Sequence, residues 1–400
     1  MNPDRLRHIR PIMPVLLAVM LIEVGVGALN PMIGYQLKLN QVPTQIIGII
    51  ASCYFIGYVT GCLISVRVAD RVGHIRAMTT FVVILAVGVL LLTLIPQPWA
   101  WAAIRLAMGF GMAGLFVCVE SWLNYKANEA TRGRIFSAYL TVSHCCSMLG
   151  PVLLFFVDPS GTVLFIAVAL FYASAIVPLA LTQIGNPEMS DRARFGIARL
   201  FRISPLGVMV AGLGAFASTS FNQLAPVYIV ETGLTPGHLA TLLMTNKIGA
   251  VALQMPVGFL SDKLGRRPLM IGCASLGLTG AIGAFTLGGQ SFYLLLACTM
   301  VMVAGGSPIY GQAVAHTCDH CKQNETVAAS GGLLLAWSIG AMAGPTVAAA
   351  VMGQIGAAGL FAHTGAVYAT IILFGLYRTL RRGAPPPMSA TLGPAPEKMP

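Results

Sequence analysis

An ionisable group in the middle of a long apolar run is costly to keep there, so such groups mark where chemistry is expected. Glu23 is one. It lies inside the run 11–34, and Gly27 and Asn30 follow at i+4 and i+7 on the same helical face. It can serve as a proton site or as the ligand of a substrate cation; the plainer alternative is a protonated packing residue bonded to a neighbouring helix. Lys247 is the second, centred in the run 237–260 with Asn246 beside it. A lysine at that depth must pair, face water or lose its proton, and water is about 15 Å away, beyond easy snorkelling. It can bind an anionic solute, or pair with Glu23 when no solute is present.

The remaining candidates are weaker. Arg105 lies in the run 99–122 and can act there or reach to the interface; Glu120 closes the same run. His144, inside 135–157, can shuttle protons or pack as a neutral ring. His316-Thr-Cys318-Asp319-His320-Cys321 is the metal-like cluster, but zinc needs four ligands and no second ligand pair accompanies it, so no metal is expected. No G-x-x-x-x-G-K-S/T run for ATP occurs, and no cofactor is expected.

The elements that must carry these residues are membrane helices. Of the 400 residues 56% are hydrophobic, only 9% are charged and 44 are glycine, a balance that suits lipid and not a soluble domain. The net charge of +11 is interleaved with the apolar runs and forms no aromatic-flanked basic patch, which excludes nucleic acid. Runs long enough to span ~30 Å of hydrocarbon fall at 11–34, 44–66, 77–95, 99–122, 135–157 and 162–182. A second set falls at 205–230, 237–260, 268–288, 292–314, 327–352 and 359–380. The first run contains Glu23 and no small-residue cleavage site, so it reads as a span and not a signal peptide. Lysines and arginines concentrate on one side, leaving only Lys38 opposite, so both termini are expected in the cytoplasm of a cell (inner) membrane. The chain thus divides into a bundle over 1–182, a polar linker over 183–204, a bundle over 205–382 and a proline-rich tail over 383–400 expected to lack order. Nine cysteines, odd in number and mostly within spans, give no disulfide framework. Gly150-Pro151, Gly344-Pro345 and Gly305-Gly306-Ser307-Pro308 are candidate bends, as are Gly109, Gly111 and Gly114.

Between the eighth and ninth runs stands Gly258-Phe-Leu-Ser-Asp262-Lys263-Leu-Gly265-Arg266-Arg267, a tight cationic turn. Val66-Arg67-Val-Ala-Asp70-Arg71-Val-Gly73-His74-Ile-Arg76 is an imperfect earlier copy. Asp70 and Asp262, Gly73 and Gly265, Met78 and Met270, Gly57 and Gly249, and Asn30 and Asn222 are all separated by the same interval (262 − 70 = 192), so the chain is two related halves.

The turn resembles the G-x-x-x-D-R/K-x-G-R-R/K signature of the major facilitator superfamily, and the Gly-His-Ile-Arg variant together with Glu120-Ser-Trp-Leu-Asn124 looks like its YcaD-type branch. The resemblance implies an all-α polytopic membrane protein of about twelve transmembrane helices in two pseudo-symmetric six-helix bundles. It also implies that spans one, four, seven and ten line a central cavity. Arg105-Leu-Ala-Met-Gly109 is similar to an R-x-x-x-G pattern associated in the superfamily with proton coupling. The resemblance further implies a cytoplasmic gate of Asp70, Arg71, Arg76, Glu120, Asp262, Lys263, Arg266 and Arg267, with Glu120 relaying charge to Asp70 and Arg71 or Arg76. A solvated helix-end carboxylate is the alternative for Glu120.

The expected function is secondary transport of a small solute by alternating access, driven by a proton gradient. The expected substrate-binding or coupling residues are Glu23, Asn30, Tyr54, Arg105, Asn222, Gln223, Lys247 and Tyr310. Expected partners are the solute and the lipid bilayer, with the chain a monomer. The rival readings are a non-transporting sensor or scaffold on the same fold, and a polytopic membrane enzyme built on the 316–321 cluster.

Overall fold

The computed structural model describes residues 12–126, 132–181, 197–321 and 325–381. The tail, most of the linker, and Arg5, Arg7, Arg10, Arg192, Arg194 and Lys322 fall outside the described residues. In the first half α1 (Met13–Leu39), α2 (Thr44–Val72), α3 (His74–Leu94), α4 (Pro98–Lys126), α5 (Arg132–Leu149) and α6 (Val163–Ala180) follow in order. A short α7 (Ile197–Ile203) ends the linker. The second half holds α8 (Pro205–Glu231), α9 (Pro236–Leu264), α10 (Arg266–Leu287), α11 (Phe292–Gly306), α12 (Ile309–Cys318), α13 (Thr326–Ile355) and α14 (Gly359–Arg381).

Local sequence explains the helix starts. Ser204 accepts a bond from the Gly207 N–H ahead of Pro205, and Thr235 with His238 forms a capping box ahead of Pro236. Two expected spans are drawn in two pieces. Gly150-Pro151 turns the end of α5 into a 3-10 segment over Gly150–Phe155, and Ser307-Pro308 separates α11 from α12. A proline removes one backbone donor and crowds the preceding turn, which accounts for both breaks. Pro345 breaks no helix, since α13 runs through it. Gly109, Gly111 and Gly114 likewise lie within an uninterrupted α4.

Among the described residues ten stretches are long and apolar enough to cross a membrane. The long helices α8 and α9 fall short of that apolarity, since their middles carry Ser218, Thr219, Ser220, Asn222 and Gln223, and Thr245, Asn246 and Lys247. Met255, Phe259 and Tyr293 are each at least 75% exposed, an apolar belt that requires lipid.

The repeated turn is a repeat of backbone as well as of letters. Gly73 has φ 88° and ψ 153°, and Gly265 has φ 85° and ψ 153°. Each glycine N–H bonds the carbonyl four residues back, Ala69 in one half and Ser261 in the other. These two turns define one end of the bundle, here called the motif end. The halves meet along α1 against α8, along α2 against α13, and where the 3-10 segment touches α9. At the far end, Lys38 pairs with Glu231, and Thr44 accepts from Lys38 and donates to Glu231 at 2.9 Å each. Deeper along the α2–α13 seam, the Ser52 and Thr346 hydroxyls lie 2.7 Å apart and Phe55 meets Trp337 edge-on at 6.4 Å.

Candidate functional site

The two mid-span charges come together from opposite halves. Lys247 Nζ on α9 donates to Ser147 Oγ on α5 at 2.6 Å. Glu23 on α1 is close enough for its charge and that of Lys247 to act on one another, with Ser143 beside it. Ser143 and Ser147 are one helical turn apart and Tyr139 one turn further back, so α5 presents a polar row between the two charges. Tyr139 in turn lies within reach of both Glu23 and Glu120, and Tyr58 within reach of Glu120. A column of polar groups therefore descends from the middle of the bundle toward the motif end. Its three α5 members were not singled out from the sequence, although their i, i+4, i+8 spacing was there to be read.

A second cluster sits inside the first half. Arg105 is 1% exposed and so does not reach to the interface. Its Nη2 donates to Asn30 Oδ1 at 3.1 Å, and its guanidinium lies 4.2 Å from the centre of the Tyr54 ring. Tyr172 on α6, another residue the sequence did not advertise, lies within reach of both Arg105 and Glu23. Asn30, Tyr54 and Arg105 thus bind one another next to Glu23, joined through Tyr54 and Tyr172.

The other substrate-facing candidates are more dispersed. Asn222 is exposed and its amide donates to the Ser218 carbonyl at 2.8 Å. Gln223 is buried and Tyr310 half-buried. Asn246, beside Lys247, is 3% exposed and neither of its side-chain polar atoms finds a partner among the described residues. His144 donates from Nδ1 to the Leu140 carbonyl of its own helix at 2.6 Å. His363, unremarked in the sequence, is buried with Nε2 3.1 Å from Ser220 Oγ and its ring over Phe216.

At the motif end the second-half turn is tied into its own half. Arg266 donates to Asp319 Oδ2 at 3.1 Å and to Ser261 Oγ at 2.9 Å, and Ser261 donates to Gln312 Oε1. Arg267 donates to the Arg378 carbonyl at 3.4 Å. In the first half, His74 Nε2 lies 3.4 Å from Ser121 Oγ, while Asp70, Arg71 and Arg76 are exposed and Glu120 is half-buried. Lys263 is exposed; the side chain of Asp262 lies outside the described residues. In the 316–321 segment Asp319 is taken by Arg266, His320 Nδ1 donates to the His316 carbonyl at 2.7 Å, and the two imidazoles stand 4.6 Å apart. Among the described residues no group of three or more side chains is placed to hold a metal. A cleft of about 570 Å³ lies at the far end between Tyr35, Asp158 and Pro236, apart from the paired charges.

Comparison with known proteins agrees with this architecture. The model of the Major Facilitator Superfamily matches residues 15–246 and 209–397, one match per half and together nearly the whole chain. A YcaD-type transporter of Escherichia fergusonii is 26% identical over 347 residues, covering 86% of this chain and 90% of the relative. One from Salmonella heidelberg is 27% identical over 349 residues at the same coverage. The crystal structure of the nucleoside transporter NupG superposes with a TM-score of 0.75 at 12% identity, covering 94% of this chain and all of that one. The POT family transporter PepTSo gives 0.75 at 12%, covering 94% and 99%. A bacterial homologue of the lysosomal transporter Spinster, in an inward-facing, occupied conformation, gives 0.72 at 15%, covering 95% and 97%. Two six-helix halves with matching turns, a mid-span glutamate and a mid-span lysine near one another between them, and a family model that spans both halves place this chain in the major facilitator superfamily of membrane transporters.

Proposed function

We propose that this transporter is a proton-coupled secondary carrier of a small zwitterionic or anionic solute, working by alternating access with both termini in the cytoplasm. The observation that carries the proposal is the bond from Lys247 of one half to Ser147 of the other, beside Glu23. A rocking motion of the halves makes or breaks that bond, so the state of the charges and the state of the gate are linked. The far-end ion pair and the engagement of Arg266 within its own half support an arrangement closed at the far end and open at the motif end. A solute anion that takes Lys247 away from Ser147 weakens the cation acting on Glu23 and favours proton uptake there. That is a physical route to symport; competition of solute and proton for Glu23 gives antiport from the same residues. Solved neighbours are named as nucleoside and peptide transporters, which argues for amino acids, dipeptides and nucleosides as the first panel to screen.

The test starts with a thermal-shift screen of that panel, since a ligand that binds the folded state raises the midpoint by mass action. The hit is then offered to proteoliposomes under an imposed pH gradient. Accumulation is expected in the native protein. Glu23→Gln, which mimics the protonated acid, is expected to abolish accumulation and keep solute-for-solute exchange. Normal accumulation by Glu23→Gln would remove Glu23 from coupling, and binding without flux in the native protein would favour a sensor on a transporter fold.

A further inference from the structure

At the motif end of the second half, three arginines gather where α10 begins and α14 ends. Gly375 packs against Ile271, because a Cβ built on the glycine would stand 2.8 Å from Ile271 Cγ1. One turn nearer the motif end, that contact brings Arg267 of α10 and Arg378 of α14 together, and Arg267 donates to the Arg378 carbonyl. Arg267 is only 7% exposed, yet the Arg378 charge acts on it unfavourably. Arg378 makes no ion pair among the described residues, and its Nε is buried with no acceptor. Arg381, one turn on, lies 5.1 Å over the ring of Tyr377 and is likewise without a described carboxylate. The one nearby acid described in a pair, Asp319, is already taken by Arg266. Arg378 Nε finds no acceptor among the described residues, and an orphaned guanidinium N–H is costly; an anion at the rim would satisfy it and ease the repulsion between the neighbouring cations.

The surroundings say which anion. Leu373, Leu376 and Tyr377 are about half exposed or more, and Leu380 is 88% exposed, on the same final turns of α14. The arginines stand in the first turn of α10 and the last turns of α14, at the level where spans leave the hydrocarbon. Apolar side chains below and forked cations at the rim suit a molecule with acyl chains and a phosphodiester. We propose that Arg378 and Arg381, with Arg267 behind them, hold the phosphate of an anionic phospholipid in the groove between α10 and α14. The lipid would brace the end of α14 against the turn at Gly265, which belongs to the gate.

Native mass spectrometry of the purified full chain in detergent tests this without any transport assay, so it stands or falls apart from the proposed function. The probes are dioleoylphosphatidylglycerol, dioleoylphosphatidylcholine and inorganic phosphate. Preferential retention of phosphatidylglycerol is expected, falling roughly tenfold or more in Arg378→Gln/Arg381→Gln, since each arginine near a lipid surface contributes appreciably. The charge-matched Arg71→Gln/Arg76→Gln variant is expected to retain the lipid. Equal retention of the two lipids by the native chain overturns the proposal, as does an equal fall in both double variants, which would mean diffuse surface attraction. Full displacement by inorganic phosphate at millimolar concentration would identify a soluble-anion site instead. Should the double variant not fold, Arg381→Gln alone removes an exposed side chain, and undiminished retention there also counts against the site.

Discussion

In the first half, α2 and α4 cross with backbone against backbone: a Cβ built on Gly57 would stand 1.9 Å from the Leu106 carbonyl oxygen, and one on Gly109 1.9 Å from that of Tyr54. In the second half the equivalent crossing of α9 with α11 is looser. Gly249 faces the flexible side chain of Met300, the counterpart of Leu106, at 2.9 Å, and Val303 occupies the place of Gly109. The tight crossing goes with a buried polar cluster, in which Arg105 donates to Asn30 and lies over the Tyr54 ring while its Nε has no acceptor among the described residues. Asn246, the counterpart of Tyr54, is buried with nothing bonded to it among the described residues, and Thr299, bonded to the Leu296 carbonyl of its own helix, stands where Arg105 would. The mid-span charges are equally one-sided, because Glu23 corresponds to Ala215 and Lys247 to Phe55. Duplication kept the turns and the helix count; the halves then took different parts, one a rigid polar core and the other a less committed wall.

That contrast can be broken most sharply at the crossings. Gly57→Ala drives a methyl into a main-chain carbonyl that has no room to retreat, and overpacking of this kind costs ~3 kcal/mol or more. Gly249→Ala meets a thioether side chain that can turn aside, at about 1 kcal/mol or less. Thermal midpoints of the two variants in one detergent check this; equal shifts would mean that both crossings are equally tight.

Next in size is the bond between the halves. Lys247→Ala removes a charged partner and is expected to weaken solute binding by roughly 10–100-fold, the range for a charge-assisted hydrogen bond. Ser147→Ala leaves the ammonium in place and should weaken it by no more than severalfold, while changing how readily the halves separate. Titration of the screened ligand against both variants distinguishes them. If Ser147→Ala were as damaging as Lys247→Ala, the serine would be contacting solute directly.

The smallest expected effect concerns the two turns. Asp262→Asn and Asp70→Asn should each favour the state open at the motif end, by the ~1–3 kcal/mol typical of such couplings. Asp262→Asn is expected to do more, since its turn continues into the bonds of Arg266 to Asp319 and Ser261, whereas the first turn is followed by exposed Arg76. Cysteine labelling across the motif-end mouth reads the shift, and unchanged accessibility in both would dismiss the turns as a clamp.

Sequence alone determined the elements and the repeat. A span needs a run of apolar residues and a reversal needs a glycine with positive φ, so each expected span has its helix or pair of helices, and Gly73 and Gly265 adopt nearly the same angles. Glu23 and Lys247 were legible because a charge in hydrocarbon is rarely idle. Their pairing could be offered from the sequence, but the α5 serines between them could not. It depends on how α5 lies between α1 and α9, and Ser143 and Ser147 are too small and too common to stand out before that packing is known. Arg105 could have faced the interface or the interior with the same local sequence; only the close approach of α2 to α4, with Tyr54 and Asn30 already waiting, buries it. Proline shows the limit most simply. Pro151 and Pro345 read alike, and each follows a glycine set against the backbone of a neighbouring helix, at Gly27 and Phe216, yet one ends its helix and the other lies within an unbroken one. Local chemistry proposes a bend, and only the folded chain shows whether it is taken.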